Sequence, residues 1–279
     1  MRSIMKNCSI LSALIAMLAC VALTTGCASS GRLSQPAAVP EIRPGIPAGY
    51  LAPKALPNSL ALISPPPAAG SAALEYDEEV SRKGLALRGT PRWTLATEDA
   101  NMMFPQAAGT FSCVLNAPIT EQDTPHLYIL LRRTLIDAGL STYTAKNHYS
   151  RTRPFVVNKK PTCTPDEEKF LIRNGSYPSG HAAFGWAWAL ILSEIAPERT
   201  DAILARGRAF GESRVICNVH WQSDVIEGRF MGAGTVARLH ADATFRTDLE
   251  AAKSEFADVR AKGLKPLRDC AAEAAAMAK

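Results

Sequence analysis

The chain is short of several things, and each shortage excludes a class of protein. No segment shows sustained strand alternation, which argues against a sheet-based fold. Beyond residue 27 no apolar run is long enough to cross a bilayer, so a multi-spanning membrane protein is excluded. The seven cysteines form no CxxC and no cluster with histidine, so no metal site is expected and no cofactor is called for. Charge of one sign is also scarce. The formal net charge is +5, and removing Arg2 and Lys6 with a leader would reduce it to +3 (5 − 2). With no basic run, a nucleic-acid partner is not expected.

What is present begins with a targeting segment. Arg2 and Lys6 precede the apolar run from Ile10 to Leu23, and Thr24, Thr25 and Gly26 lead into Cys27. This reads as an export signal covering residues 1–27. Gly-Cys followed by Ala-Ser-Ser resembles a bacterial lipoprotein box, which makes Cys27 a candidate for lipidation, although Thr24 stands where leucine is usual. Cleavage after Ala28 is the alternative. Either way the expected location is periplasmic or secreted, and any membrane contact is through an N-terminal lipid anchor.

Residues 28–70 hold nine of the nineteen prolines and read as an extended tether or wrapping arm. Residues 71–279 have the composition of one globular domain. With Cys8 and Cys20 leaving in the leader, Cys113, Cys163, Cys217 and Cys270 remain in an exported chain. Two disulfides are expected among them, with three pairings open.

Helical periodicity organises the domain. Leu127 to Ala138 places apolar residues on one face and Arg132, Arg133 and Asp137 on another, and Gly139 follows as a stop. His181 to Ile195 is apolar nearly all round, with Ser179 as its natural cap and Pro197 as its end. It is expected to be a central buried helix, about 180–195, whose small residues let neighbours approach. Thr200 to Phe210, Val225 to His240 and Thr247 to Lys262 complete an all-α helical bundle.

Three blocks carry chemistry: Lys146 with Arg153 and Pro154; Pro178-Ser179-Gly180-His181; and Ser213-Arg214 with His220 and Asp224. Lys146, Arg153 and Arg214 suit an oxyanion with several oxygens. Ser179 and Gly180 open a helix and offer donors to the same anion. Two histidines can serve as nucleophile and proton donor. His220 and Asp224, four apart, are expected on one helix face, where the carboxylate holds the imidazole's tautomer. Taken singly, each feature is ordinary: a surface cation, a core histidine, a helix ion pair, a helix cap.

Jointly, the blocks resemble the tripartite signature KxxxxxxRP, PSGH, SRxxxxxHxxxD of the type 2 phosphatidic acid phosphatase and vanadium haloperoxidase superfamily. All eleven letters stand at the required spacings. The stretches LRGTPRW (87–93), RPF (153–155), GSYPSGHAAFGWAWALILSE (175–194) and GESRVICNVHWQSD (211–224) resemble the class A bacterial non-specific acid phosphatases. That resemblance implies an all-α fold and metal-independent hydrolysis of small phosphate monoesters through a phosphohistidine. It implies His220 as nucleophile, Asp224 as its orienting partner and His181 as general acid. Lys146, Arg153, Arg214, Ser179 and Gly180 become the phosphate ligands. It also implies a homo-oligomer in the periplasm or outside the cell.

Cys163 and Cys217 flank signature blocks that must converge, so they are expected to pair, leaving Cys113 with Cys270; two unrelated buried thiols are the competing reading. Rival functions are a vanadate-dependent haloperoxidase, which uses the same pocket, and an inactive phosphate-binding envelope protein. The first is disfavoured by the text outside the signature. The second is disfavoured by the retention of both histidines.

Overall fold

A computed structural model describes residues 35–278. The targeting segment and Cys27 lie outside the described residues. As the periodicity predicts, the described chain is all-α. In order, the helices are α1 (Ser59–Leu62), α2 (Ala72–Leu85), α3 (Pro91–Glu98), α4 (Ser112–Leu115), α5 (Pro125–Ser141), α6 (Tyr143–Tyr149) and α7 (Pro154–Asn158). After them come α8 (Glu168–Leu171), α9 (Gly180–Ile195), α10 (Thr200–Ile216), α11 (Gln222–Leu239), α12 (Ala243–Ala261) and α13 (Cys270–Met277).

The hub is α9. Its side chains are apolar on almost every face, so it can only be stable with neighbours all round. Helices α5, α10 and α11 pack against it. Ser179 caps it by accepting from Ala182 N at 3.2 Å. Close approach depends on small residues from both sides. A Cβ on Gly232 of α11 would lie 2.3 Å from the Ala183 carbonyl, and one on Gly228 would lie 2.4 Å from that of Ser179. These two glycines let the backbones of α9 and α11 meet, which holds the start of α9 close to the start of α11.

Helix ends differ from the sequence expectation where a local signal was overridden. Helix α10 continues past Phe210 to Ile216, because Gly211 fits under Val225 and Ala182 rather than ending the helix. Helix α12 starts earlier than Thr247, at Ala243, because Asp242 accepts from Phe245 N and caps it. A two-stranded antiparallel ribbon, β1 (Glu41–Arg43) with β2 (Ile46–Pro47), is too short to show alternation and was not expected.

The described part of the proline-rich segment lies against α5, α6 and α12. Asp137 of α5 accepts from Tyr50 N at 2.8 Å and Leu51 N at 3.0 Å. Tyr50 Oη donates to Asp248 at 2.7 Å, and the Arg133 guanidinium sits 3.6 Å from the Tyr50 ring centre. Gly49 permits this contact, since a Cβ there would fall 2.2 Å from an Asp137 oxygen.

Both disulfides pair as expected: Cys163 with Cys217, and Cys113 with Cys270. The first ties the loop after α7 to the C-terminus of α10, and the second ties α4 to α13. Each closes a long loop, a constraint typically worth about 2–4 kcal/mol.

Candidate active site

The three blocks converge on one cavity of about 220 Å³. Lys146, Arg153, Gly180, His181, Arg214 and His220 line it. Ser179 and Asp224 stand behind this lining.

Lys146 projects from α6, which closes at Ser150 in the left-handed region. Its ammonium donates to the carbonyls of Gly175 at 3.0 Å, Ser176 at 3.4 Å and Pro178 at 2.7 Å. It therefore also clamps the loop leading into α9. Burial, reinforced by repulsion from Arg153, lowers its pKa to about 7. Arg153, just before α7, donates Nε to the carbonyls of Leu171 and Asn174. Its Nη1 reaches the Val219 carbonyl at 2.9 Å and His220 Nε2 at 3.2 Å.

That last contact assigns the His220 tautomer. A guanidinium N–H can only donate, so Nε2 accepts with its lone pair, and Nδ1 carries the proton. Nδ1 faces Asp224 Oδ2 at 3.1 Å. The neutral ring thus presents a nucleophilic Nε2. Burial first, then Arg153, Lys146 and Arg214, holds its pKa well below the usual histidine range.

The expectation that His220 and Asp224 share a helix face is corrected. His220 lies in the turn between α10 and α11, with Asn218 in the left-handed region at φ +62°. Asp224 sits in the first turn of α11, where Oδ2 also accepts from Trp221 N at 2.9 Å. The i,i+4 pair is real, but it spans a helix entry. The same carboxylate caps the helix and orients the ring.

Arg214 is the most telling member. Among the described residues, its Nε and Nη1 are buried without a hydrogen-bond partner, and the residue is only 1% exposed. Leaving buried charged donors unmade costs more than the roughly 1–3 kcal/mol of a neutral group. An anion in the cavity would relieve that cost.

His181 Nε2 lies 3.1 Å from the Ala100 carbonyl. A carbonyl only accepts, so Nε2 bears a proton and Nδ1 is the atom that gains or loses one. The ring is flanked by Phe184 and Phe210. Burial, then Arg214, pushes its pKa well below the usual range. Ser179 is fully buried, and its hydroxyl oxygen is engaged as the α9 cap.

Two supporting groups escaped the sequence reading. The first begins at Arg151, whose Nη1 donates to Asp224 Oδ1 and Ser223 Oγ, both at 2.7 Å; Nη2 donates to Asp77 Oδ2 at 2.8 Å. Asp77 also accepts from Ser223 N. The second is Asp99, paired with Arg206 in full burial and bonded to Ser213. It anchors the segment whose next carbonyl, that of Ala100, holds His181. Arg151 falls within the spacer of the first block, and Asp77 lies 147 residues before Asp224 in the chain (224 − 77), so neither had a local signal.

Arg151 is thus placed as a positioning residue for Asp224. Burial raises the Asp224 pKa, and Arg151 is the main influence lowering it. Removing Arg151 should let that pKa climb, so Asp224 protonates at higher pH and releases the His220 Nδ1–H. Arg151→Met is expected to move the acid limb of kcat/KM upward by roughly 1–3 pH units. A merely structural role would lower stability and leave the limb in place.

The comparisons agree with this geometry. The PAP2 superfamily model matches residues 126–248, which include all three blocks. A non-specific acid phosphatase of Providencia stuartii is 47% identical over 204 residues, covering 73% of this chain and 82% of the relative. One from Salmonella typhimurium is 45% identical over 202 residues, covering 72% and 81%. An acid phosphatase of Zymomonas mobilis is 38% identical over 209 residues, covering 75% and 79%. The chain belongs to the PAP2 superfamily, and its bundle brings the three blocks to one buried cationic cavity lined by two histidines. Within it, the chain belongs with the bacterial non-specific acid phosphatases.

Proposed function

We propose that the chain is an acid phosphatase that hydrolyses phosphate monoesters through a phosphohistidine on His220. The observation that carries this reading is the joint presence, on one cavity, of unpartnered Arg214 donors and an unprotonated His220 Nε2. In the first step His220 Nε2 attacks phosphorus. The bond to the leaving oxygen breaks, and a proton from His181 Nδ1 passes to that oxygen. In the second step water attacks phosphorus, gives its proton to His181 and breaks the N–P bond, releasing inorganic phosphate. Asp224 holds His220 in the reactive tautomer and offsets the positive ring of the intermediate. Lys146, Arg153 and Arg214 bind the equatorial oxygens, and the first residues of α9 contribute backbone donors. These three cations supply the positive charge for which many phosphatases recruit a metal ion.

Acid working pH follows from the same groups. His220 must enter neutral, and its depressed pKa keeps it so well below pH 6.5. His181 must carry a proton, which the incoming phosphate favours by offsetting the repulsion from Arg214. Lys146, with a pKa of about 7, loses its charge above neutrality, and phosphate binding weakens there. The expected kcat/KM profile is a bell confined to acid pH: protonation of His220 sets its acid limb, loss of the His181 proton sets its alkaline limb below 6.5, and the fall steepens near 7 as Lys146 loses its charge. Vanadate should inhibit as a five-coordinate phosphorus mimic, and chelator should have no effect. Activity lost in chelator and restored by a divalent cation would overturn the mechanism.

The relatives are named as acid phosphatases, which favours hydrolysis over halide oxidation. Among the described residues no helix is long and apolar enough to cross a membrane. Export to the periplasm or beyond, homo-oligomer formation and lipidation at Cys27 complete the proposal, resting on the sequence features and on the resemblance. Mass spectrometry of the mature N-terminal peptide is expected to give an acylated Cys27. An unmodified Ser29 terminus would indicate simple secretion.

A further inference from the structure

The mouth of the cavity differs in chemistry from its floor. The floor is cationic, whereas Met102, Leu140, Tyr143 and Phe170 carry the lining out to solvent. Three of these large apolar side chains stand well out into solvent: Phe170 at 66% exposure, Met102 at 45% and Leu140 at 43%. They come from three separate segments, the loop after α3, the end of α5 and α8, so no single amphipathic helix accounts for their grouping. Exposed apolar groups gathered around one opening mark a surface that binds something apolar. The polar side chains at the mouth are those of Asn174 and Tyr143.

We infer that this rim receives the leaving group, and that the enzyme prefers phosphate monoesters whose alcohol is an apolar aryl or alkyl group. The inference rests on the phosphatase reading of the same site and names its substrate class. With phosphate held by Arg214 and Arg153 at the floor, the ester oxygen must point toward His181 and the rest of the alcohol toward the mouth. A sugar or glycerol there would set most of its hydroxyls against Met102, Leu140 and Phe170, with only the side chains of Asn174 and Tyr143 at the mouth to replace the water given up. An alkyl or aryl group loses no hydrogen bonds and removes apolar surface from water on both sides. The volume, about 220 Å³, is below the roughly 300 Å³ at which sites for drug-sized ligands begin. A phosphoryl group with a small apolar substituent suits that space, and a whole nucleotide would extend past the rim.

The test is kcat/KM on the full mature protein for ethyl, butyl and hexyl phosphate beside glycerol 3-phosphate. These leaving groups are all alkanols, so differences report contact with the mouth more than bond-breaking chemistry. The value is expected to rise by about twofold to fourfold for each added methylene that reaches the rim. Hexyl phosphate should exceed glycerol 3-phosphate by about tenfold or more. Leu140→Asn combined with Phe170→Asn, both at exposed positions, should bring that ratio toward one. A flat series in the native enzyme, or a ratio that the double variant leaves unchanged, would overturn the inference while the phosphatase reading stands. Failure to hydrolyse any of the four esters would overturn both.

Discussion

His220→Ala is expected to abolish turnover with every phosphate monoester and to leave no trapped phosphoenzyme. The loss should be on the order of 10⁴–10⁶-fold, the scale seen when a covalent nucleophile is removed. The reason is geometric. Nε2 is held as a lone-pair acceptor by Arg153, and Nδ1 is held by Asp224, so this ring has one chemical role and nothing in the cavity substitutes for it. The measurement is acid-quench labelling followed by peptide mapping, with acid-labile, base-stable phosphate on the His220 peptide as the expected signal in the native enzyme. Label on the His181 peptide instead would reverse the two roles. Stability is expected to fall modestly, because the ring is buried and neutral, and its removal leaves a cavity and takes a donor from Asp224.

His181→Ala should behave differently, and the difference depends on the leaving group. Nitrophenolate departs with little protonation, so the variant should still form phosphoenzyme from nitrophenyl phosphate. Alkyl phosphates need the proton, and their turnover should fall by roughly the 10²–10⁴-fold typical of a lost general acid. Because the same imidazole takes the proton of the attacking water, dephosphorylation should slow too, and phosphoenzyme should accumulate on quench. The Ala100 carbonyl makes this assignment specific to one atom. It occupies Nε2–H, so the working proton is on Nδ1. Equal losses for both substrate types with no accumulation would mean that His181 only packs between Phe184 and Phe210.

Much of this molecule was legible before its coordinates. The apolar run from His181 to Ile195 could only be a buried helix, since no single-faced contact would cover it, and Ser179 is its cap as read. The three signature blocks were legible because each packs several chemical residues into a few positions. The disulfide between Cys163 and Cys217 was legible because one cysteine follows the first block and the other stands within the third, and the two blocks had to meet.

What sequence by itself determined, then, is whatever depends on near neighbours along the chain: helix periodicity, caps and the spacing of reactive groups inside a block. Tertiary structure alone decided the rest. It placed His220 in a turn rather than on a helix, because Asp224 is needed at the first turn of α11 to bond both Trp221 N and the ring. It brought Asp77 through Arg151 to that carboxylate, and Arg206 to Asp99 in the segment behind His181. It gathered Met102, Leu140 and Phe170 at one mouth. The contacts of Arg151, of Arg206 and of the mouth join residues tens to more than a hundred positions apart. A lone Asp or Phe at each position looks like any other until packing supplies its partner, because local propensity carries no information about which distant surface will close over it.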